Sequence, residues 1–367
     1  MNLNDKRLLA LTQSGLWNTS LPIHLFENTR KIDWDIIFKS SSKQGVMGVA
    51  YDGLMHNIEE LKIEKKILYA WAANVEAMEL RYQKQYQTAK NLLEIYNHHQ
   101  LHVLILKGIG LSIYYPSPSH REGGDIDIYL FDDFEKGNQI IEQKGIKVLR
   151  GDSVNPKHTV FNFQHTLIEN HEWFLTDNPY LRKNKYLETQ LKKHIHLTFC
   201  EQSNIGNQVV YYPSPTFNAY YLAAHMSSHL LTSNVALRHL CDWALFVDKH
   251  YNQIDFEEVA YHFKKTDLYK AYQVLNSLTN RYLMPHNFKP IPVEKISEKI
   301  ENIVWNKKTL QPSEKLISQN NYKKYAKKWR EFLKNLFVLK KLTNTKFVFR
   351  FLVSITYKHV SRKRKHV

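Results

Sequence analysis

Cysteine is nearly absent. The chain of 367 residues has two, Cys200 and Cys241, and no close pair. That excludes a disulfide scaffold and a cysteine zinc site, and it fits a reducing compartment. Long apolar runs are missing too. No stretch approaches the ~20 residues that cross a bilayer as a helix. The segment Met1 to Trp17 mixes Asp5, Lys6 and Arg7 among its apolar residues, so it lacks the apolar centre of a signal peptide. A cytoplasmic location is the expectation. No internal repeat stands out, and no low-complexity segment precedes the last part of the chain.

Acidic residues are scarce in one place. Residues 321–367 hold 15 Lys and Arg against one acid, Glu331, which is +14 of the total +16 and leaves +2 for the other 320 residues. A local basic segment attracts phosphates or anionic lipid better than diffuse charge does. Within it Trp329, Phe332, Leu333, Leu336 and Phe337 follow the spacing of an amphipathic helix. Packing on the protein body, an anionic membrane surface and RNA are the three partners this segment suits.

Hydrophobic residues make up 43% of the chain, enough for a sizeable core. Residues 1–100 read as mostly helical, with a helix near Ile32–Phe38 and a long one from about Ile58 to His98. The pattern then changes. Leu101–Leu106 reads as a buried strand ending at the Lys107-Gly108 turn, and a short helix from Ile109 stops before Pro116. Asp132 or Asp133 suits the cap of a helix that runs to Lys144 and ends at Gly145. Ile146–Leu149 is a strand. His158–Phe163 and Thr166–His171 form a hairpin about Gln164-His165. His194–Cys200 and Gln208–Tyr212 complete a mixed sheet. Helices return at Phe217–Leu231 and Val235–His250.

The run Gly123-Gly124-Asp125-Ile126-Asp127-Ile128 carries the chemistry. A strand has a side-chain period of two, so Asp125 and Asp127 share one face and Ile126 and Ile128 face a core. Two like charges side by side cost stability unless a cation or substrate needs them. Upstream, the Lys107-Gly108 turn offers close backbone approach to a phosphate, and Lys107 adds a point charge. Such carboxylates can hold magnesium, or manganese, against substrate phosphates. A third carboxylate is wanted from a neighbouring strand. Glu169 in Ile168-Glu169-Asn170-His171 is the candidate, as metal ligand or as base for the attacking hydroxyl. His171 shares its face and could orient it or touch a phosphate. Arg121 could reach a triphosphate or pair with an Asp.

Leu106-Lys107-Gly108-Ile109-Gly110-Leu111, Tyr115-Pro116 and Arg121-Glu122-Gly123-Gly124-Asp125-Ile126-Asp127-Ile128 together resemble the uncharacterised bacterial nucleotidyltransferase-like family of the DNA polymerase β superfamily. The Ile168–His171 strand, His225 and Leu237-Arg238-x-x-x-Asp242-x-Ala244 are similar to its later motifs. The likeness covers roughly residues 1–250, with most of its specificity in 104–130. Where the wider superfamily has Gly-Ser after the first strand, this chain has Lys107-Gly108-Ile109-Gly110.

The resemblance implies an α+β fold. A polymerase β-like mixed sheet at 101–212 would be flanked by helical regions at 1–100 and 213–320, with the basic tail at 321–367. It also implies magnesium-dependent transfer of a nucleoside monophosphate from a nucleoside triphosphate to an acceptor it does not specify. Asp125, Asp127 and Glu169 would be the metal and catalytic residues. Lys107, Gly108, Arg121 and His171 would bind the nucleotide.

Other readings stand beside this one. Asp-x-Asp also holds the diphosphate of nucleotide sugars, so glycosyl transfer is an alternative, and a non-catalytic membrane- or RNA-binding protein is another. His225 and His229 share a helix face, but their helix supplies no Glu, so they read as hydrogen-bonded histidines rather than a zinc pair. Arg238 and Asp242, four apart, read as an intrahelical ion pair, with Arg238 reaching the cleft as the alternative.

Overall fold

The structure, a computed structural model, describes residues 1–27, 32–150, 158–175, 184–232, 235–285 and 288–293. The basic segment 321–367 lies outside the described residues.

The chain opens with four helices. α1 (Leu3–Trp17) starts at an Asn2/Asp5 capping box. α2 (Trp34–Gln44) is capped by the Asp33 carboxylate, which accepts from the Ile36 N–H. α3 (Met47–His56) lies against α1, and Gly15 and Gly53 let their backbones meet. α4 (Lys65–His98) buries Trp71, Val75, Met78, Ala89, Leu92 and Tyr96 along one stripe.

The sheet follows. β1 (Leu104–Ile105) leads through the Lys107-Gly108 turn into a short helix, α5 (Ile109–Ser112). β2 (Asp125–Tyr129) carries the carboxylates, and α6 (Phe134–Gln143) crosses to β3 (Leu149–Arg150). β4 (His158–Phe163) and β5 (Thr166–His171) form the hairpin expected, with Gln164 and His165 both at positive φ. After α7 (Asn184–Lys193), β6 (Glu201–Ile205) and β7 (Gln208–Tyr212) make a second hairpin. Then come α8 (Pro215–Thr232), α9 (Leu237–His250), α10 (Phe256–Lys264) and α11 (Tyr269–Tyr282).

The strand order is β3-β4-β5-β2-β1-β7-β6, with β2/β5 and β1/β7 parallel and the other pairs antiparallel. This is an α+β fold with a mixed sheet flanked by helices. Two assignments are corrected. Ile146–Val148 precede the strand, which is Leu149–Arg150. His194–Cys200 is not a strand: Leu197–Phe199 is a 3₁₀ turn, and the pairing strand begins at Glu201. Polar Gln202, Ser203 and Asn204 hide it from an apolar pattern. The two-residue turn between Ile205 and Gln208, with Gly206 at φ +62°, sets its register against β7.

The two faces of the sheet have different partners. Ile126, Ile128, Phe161 and Ile168 pack with Leu92, Leu93 and Tyr96 of α4 and Ile140 and Ile141 of α6. Leu104, Leu106 and Tyr129 belong to the other cluster, with Phe217 and Tyr221 of α8 and Trp243 of α9. Period-two alternation therefore buries the β2 isoleucines on one side and turns Asp125 and Asp127 to the side of α8 and α9. No helix among the described residues is long and apolar enough to cross a membrane.

Candidate active site

Parallel pairing of β2 with β5 puts Glu169 directly beside Asp127 and His171 beside Tyr129. Oxygens of Asp125, Asp127 and Glu169 then lie within 4.8 Å of one another. The long helix α4 steadies the start of β2, because Gln85 Nε2 donates to the Asp125 carbonyl at 2.7 Å.

Asp127 is the buried centre of the group, only 1% exposed. Its Oδ1 accepts from His171 Nε2 at 2.8 Å and pairs with Lys107 Nζ at 3.0 Å. Its Oδ2 is buried without a partner. Burial pushes this carboxyl up, but Lys107 and His171 outweigh burial and hold it well below the ordinary carboxylate range. Burial alone would lower the Lys107 ammonium, and its anionic surroundings, with Asp127 among them, turn it upward. Asp125 moves the other way: burial first, then the neighbouring Asp127, raise its pKa. Glu169 is held below its ordinary value chiefly by His171, at 3.5 Å, and His158 stands 3.9 Å off on its other oxygen.

Gly108 completes this end of the site. Its backbone is at φ +64° and ψ −122°, a region that L side chains rarely adopt. A Cβ there would lie 3.4 Å from the Asp125 carbonyl oxygen and 3.9 Å from Asp127 Oδ2. The glycine keeps clear the space beside the unpartnered oxygen.

These residues fit a divalent cation. A buried carboxylate oxygen left bare costs roughly 1–3 kcal/mol or more. A hard cation between Asp125, Asp127 and Glu169 would satisfy that oxygen and relieve the repulsion that raises Asp125. The set is all oxygen, which suits magnesium or manganese.

The three carboxylates, Lys107 and Gly108 line one cleft, of about 490 Å³, together with His225, His229, Arg238 and His239 of α8 and α9. Two residues expected to contact the nucleotide are bonded to carboxylates, Arg121 in the Asp pairing that was its other expected role. His171 is fully buried, with Nε2 2.8 Å from Asp127 Oδ1. Arg121 borders the cleft, but its Nε and Nη2 bind the two Asp242 oxygens at 2.8 and 2.9 Å, and Tyr115 Oη donates to Oδ1 at 2.7 Å. Tyr115, Arg121 and Asp242 thus pin the 115–121 segment to α9. The intrahelical Arg238–Asp242 pair is not formed. Arg238 instead donates from Nη1 to the Glu122 carbonyl at 2.8 Å and lines the cleft.

The model of a family described as uncharacterised nucleotidyltransferase matches residues 30–284. The chain belongs to this family. Membership makes a nucleotidyl transfer activity and a nucleotide substrate the coarse description of the protein, and it covers every residue of the cleft. Among proteins with curated functions, none matches the chain. In this nucleotidyltransferase, sequence reasoning missed Gln85, Asp242 as the partner of Arg121, and His239. The i to i+4 spacing of Arg238 and Asp242 pointed to the wrong pair because a helix face says nothing of the loop packed against it.

Proposed function

We propose that the chain transfers a nucleoside monophosphate from a nucleoside triphosphate to a hydroxyl of an acceptor, with magnesium or manganese as cofactor. The observation that carries this reading is the bare, buried Oδ2 of Asp127, set among Asp125, Glu169 and the open backbone of Gly108.

Asp125, Asp127 and Glu169 would hold the cation, which when bound neutralises charge on the triphosphate and the reacting phosphate. Lys107 sets its ammonium beside the same phosphates, and Gly108 lets them approach the backbone. The acceptor oxygen forms a bond to the α-phosphorus, the bond from that phosphorus to the β-phosphate bridging oxygen breaks, and pyrophosphate leaves. The hydroxyl proton passes to a carboxylate of the cleft. Glu169, kept ionised by His171, suits that role. His171 holds Asp127 in place throughout.

A cytoplasmic site of action, where nucleoside triphosphates are made, agrees with this reading. For segment 321–367 the argument is charge alone: +14 in 47 residues favours a phosphate-bearing surface, anionic lipid or RNA. Deleting it and measuring vesicle and RNA binding separates those partners from packing on the body.

The decisive experiment is binding of each nucleoside triphosphate with and without magnesium, for the wild type and for D125N/D127N. Magnesium-dependent binding that the double variant loses is the expected result. Equal binding by both proteins, or no nucleotide binding, removes the proposal.

A further inference from the structure

The α8 and α9 side of the cleft gathers three imidazoles. His225 and His229 stand one turn apart on α8, and His239 comes from the first turn of α9. The Nε2 atoms of His225 and His229 are 3.0 Å apart. The rings of His229 and His239 stack at 5.2 Å between centroids, with planes 18° apart. One ring nitrogen from each residue lies within 4.8 Å of the other two.

We propose that His225, His229 and His239 bind a zinc-class divalent ion, with its remaining position open to the cleft. Tetrahedral zinc with imidazole ligands places its nitrogens about 3.3 Å apart. The 3.0 Å between His225 and His229 is close to that value, and His239 lies within 4.8 Å of both, within reach of small ring rotations. Soft or borderline metals prefer this all-nitrogen set, whereas the oxygen set of Asp125, Asp127 and Glu169 suits a hard cation. The cleft therefore offers two sites of different chemistry. The helices are packed elements, since Leu237, Leu240, Trp243 and Ala224 beside the cluster are buried.

Two features bear on occupancy. His239 Nδ1 accepts the Ala236 N–H at 3.0 Å, so the neutral ring carries its proton on Nε2 when no metal is bound. Ligation through either ring nitrogen of His239 costs that one hydrogen bond, because binding at Nδ1 displaces the Ala236 N–H and binding at Nε2 moves the ring proton to Nδ1. Arg238 is a like charge beside the cluster, and Asp242 acts on His239 in the opposite sense. Three protein ligands leave a place for water or a substrate oxygen. An ion here would hold an oxygen of whatever occupies the cleft with the nucleotide. The metal site itself does not depend on the transfer reading.

The test uses the untagged full chain, stripped of metal and titrated with Zn²⁺ and with Co²⁺. One tight equivalent of zinc per chain is expected, with the intense visible bands of four- or five-coordinate cobalt. D125N/D127N should keep both. H225Q/H229Q and H239Q should weaken zinc binding by roughly 100-fold or more and bleach the bands. Unchanged affinity in the histidine variants overturns the proposal, as does loss of the bands only in D125N/D127N. Should those variants not fold, X-ray absorption at the zinc edge decides on the unaltered chain. A shell of three imidazoles supports the site, and a mainly oxygen shell overturns it. Nucleotide binding with magnesium is measured in parallel, so failure here is distinct from failure of the transferase reading.

Discussion

His171 Nε2 sits 2.8 Å from Asp127 Oδ1, across the β2/β5 pair, with His171 fully buried behind it. The imidazole occupies one oxygen of the carboxylate and leaves the other to the cleft. Such a partner fixes a ligand's orientation, and its removal typically lowers metal affinity by about 10–100-fold. His171→Ala is expected to raise the magnesium concentration needed for half-maximal nucleotide binding by that factor. His171→Gln, which keeps a donor, should recover part of it. A magnesium titration at fixed nucleotide measures both, and an unchanged midpoint for His171→Ala would remove the positioning role.

Gly108→Ala tests the open backbone beside Asp127. The alanine must take φ near +64° with ψ near −122°, a strain of about 1–3 kcal/mol. Its methyl would also occupy space 3.9 Å from Asp127 Oδ2. Urea denaturation should show the lost stability, and nucleotide affinity should fall beyond what that loss explains. An alanine variant with wild-type affinity would contradict the assigned role.

Much of this site was legible in local pattern. The alternation of Asp125, Ile126, Asp127 and Ile128 gave the face of each residue, and the hairpin of β4 and β5 gave Glu169 and His171 a common face. The position of Glu169 beside Asp127 depends on which strands pair and in what register, which is a tertiary fact. The same holds for Asp242, whose partner comes from a loop more than a hundred residues earlier in the chain. His239 escaped notice because its two companions lie on another helix. The strand at Glu201 was legible in the Gly206-Asn207 turn, a short-range hairpin signal, although not in its polar side chains.

Arg121 and Asp242 form a buried ion pair, 8% and 6% exposed, with Tyr115 as third member. Burial pushes the Asp242 carboxyl up, and Arg121 brings it below its ordinary value. Removing one partner strands the other charge, which costs about 3–5 kcal/mol. Arg121→Met and Asp242→Leu should each destabilise by that amount. The double variant should lose less than the sum, because no lone charge is left behind. A denaturant double-mutant cycle measures the coupling. Additive losses would mean the pair does not act as a unit.

His120 links three helical pieces through two carboxylates. Its Nδ1 lies 2.8 Å from Asp52 of α3, and its Nε2 lies 2.8 Å from Glu79 of α4. Burial lowers its pKa, but the bonds to Asp52 and Glu79 outweigh burial and raise it above the ordinary 6.5. The folded chain therefore keeps this proton at a pH where the unfolded chain has released it, so stability falls as pH rises. The contribution is fully present below about 6.5 and is lost as pH passes through the raised folded value. His120→Asn should be less stable than wild type at pH 6, with the difference shrinking towards pH 9. Urea midpoints across that range, for both proteins, measure the effect. A difference that grows with pH would show that His120 is held neutral, and that the Asp52–His120–Glu79 link is not an ionic one.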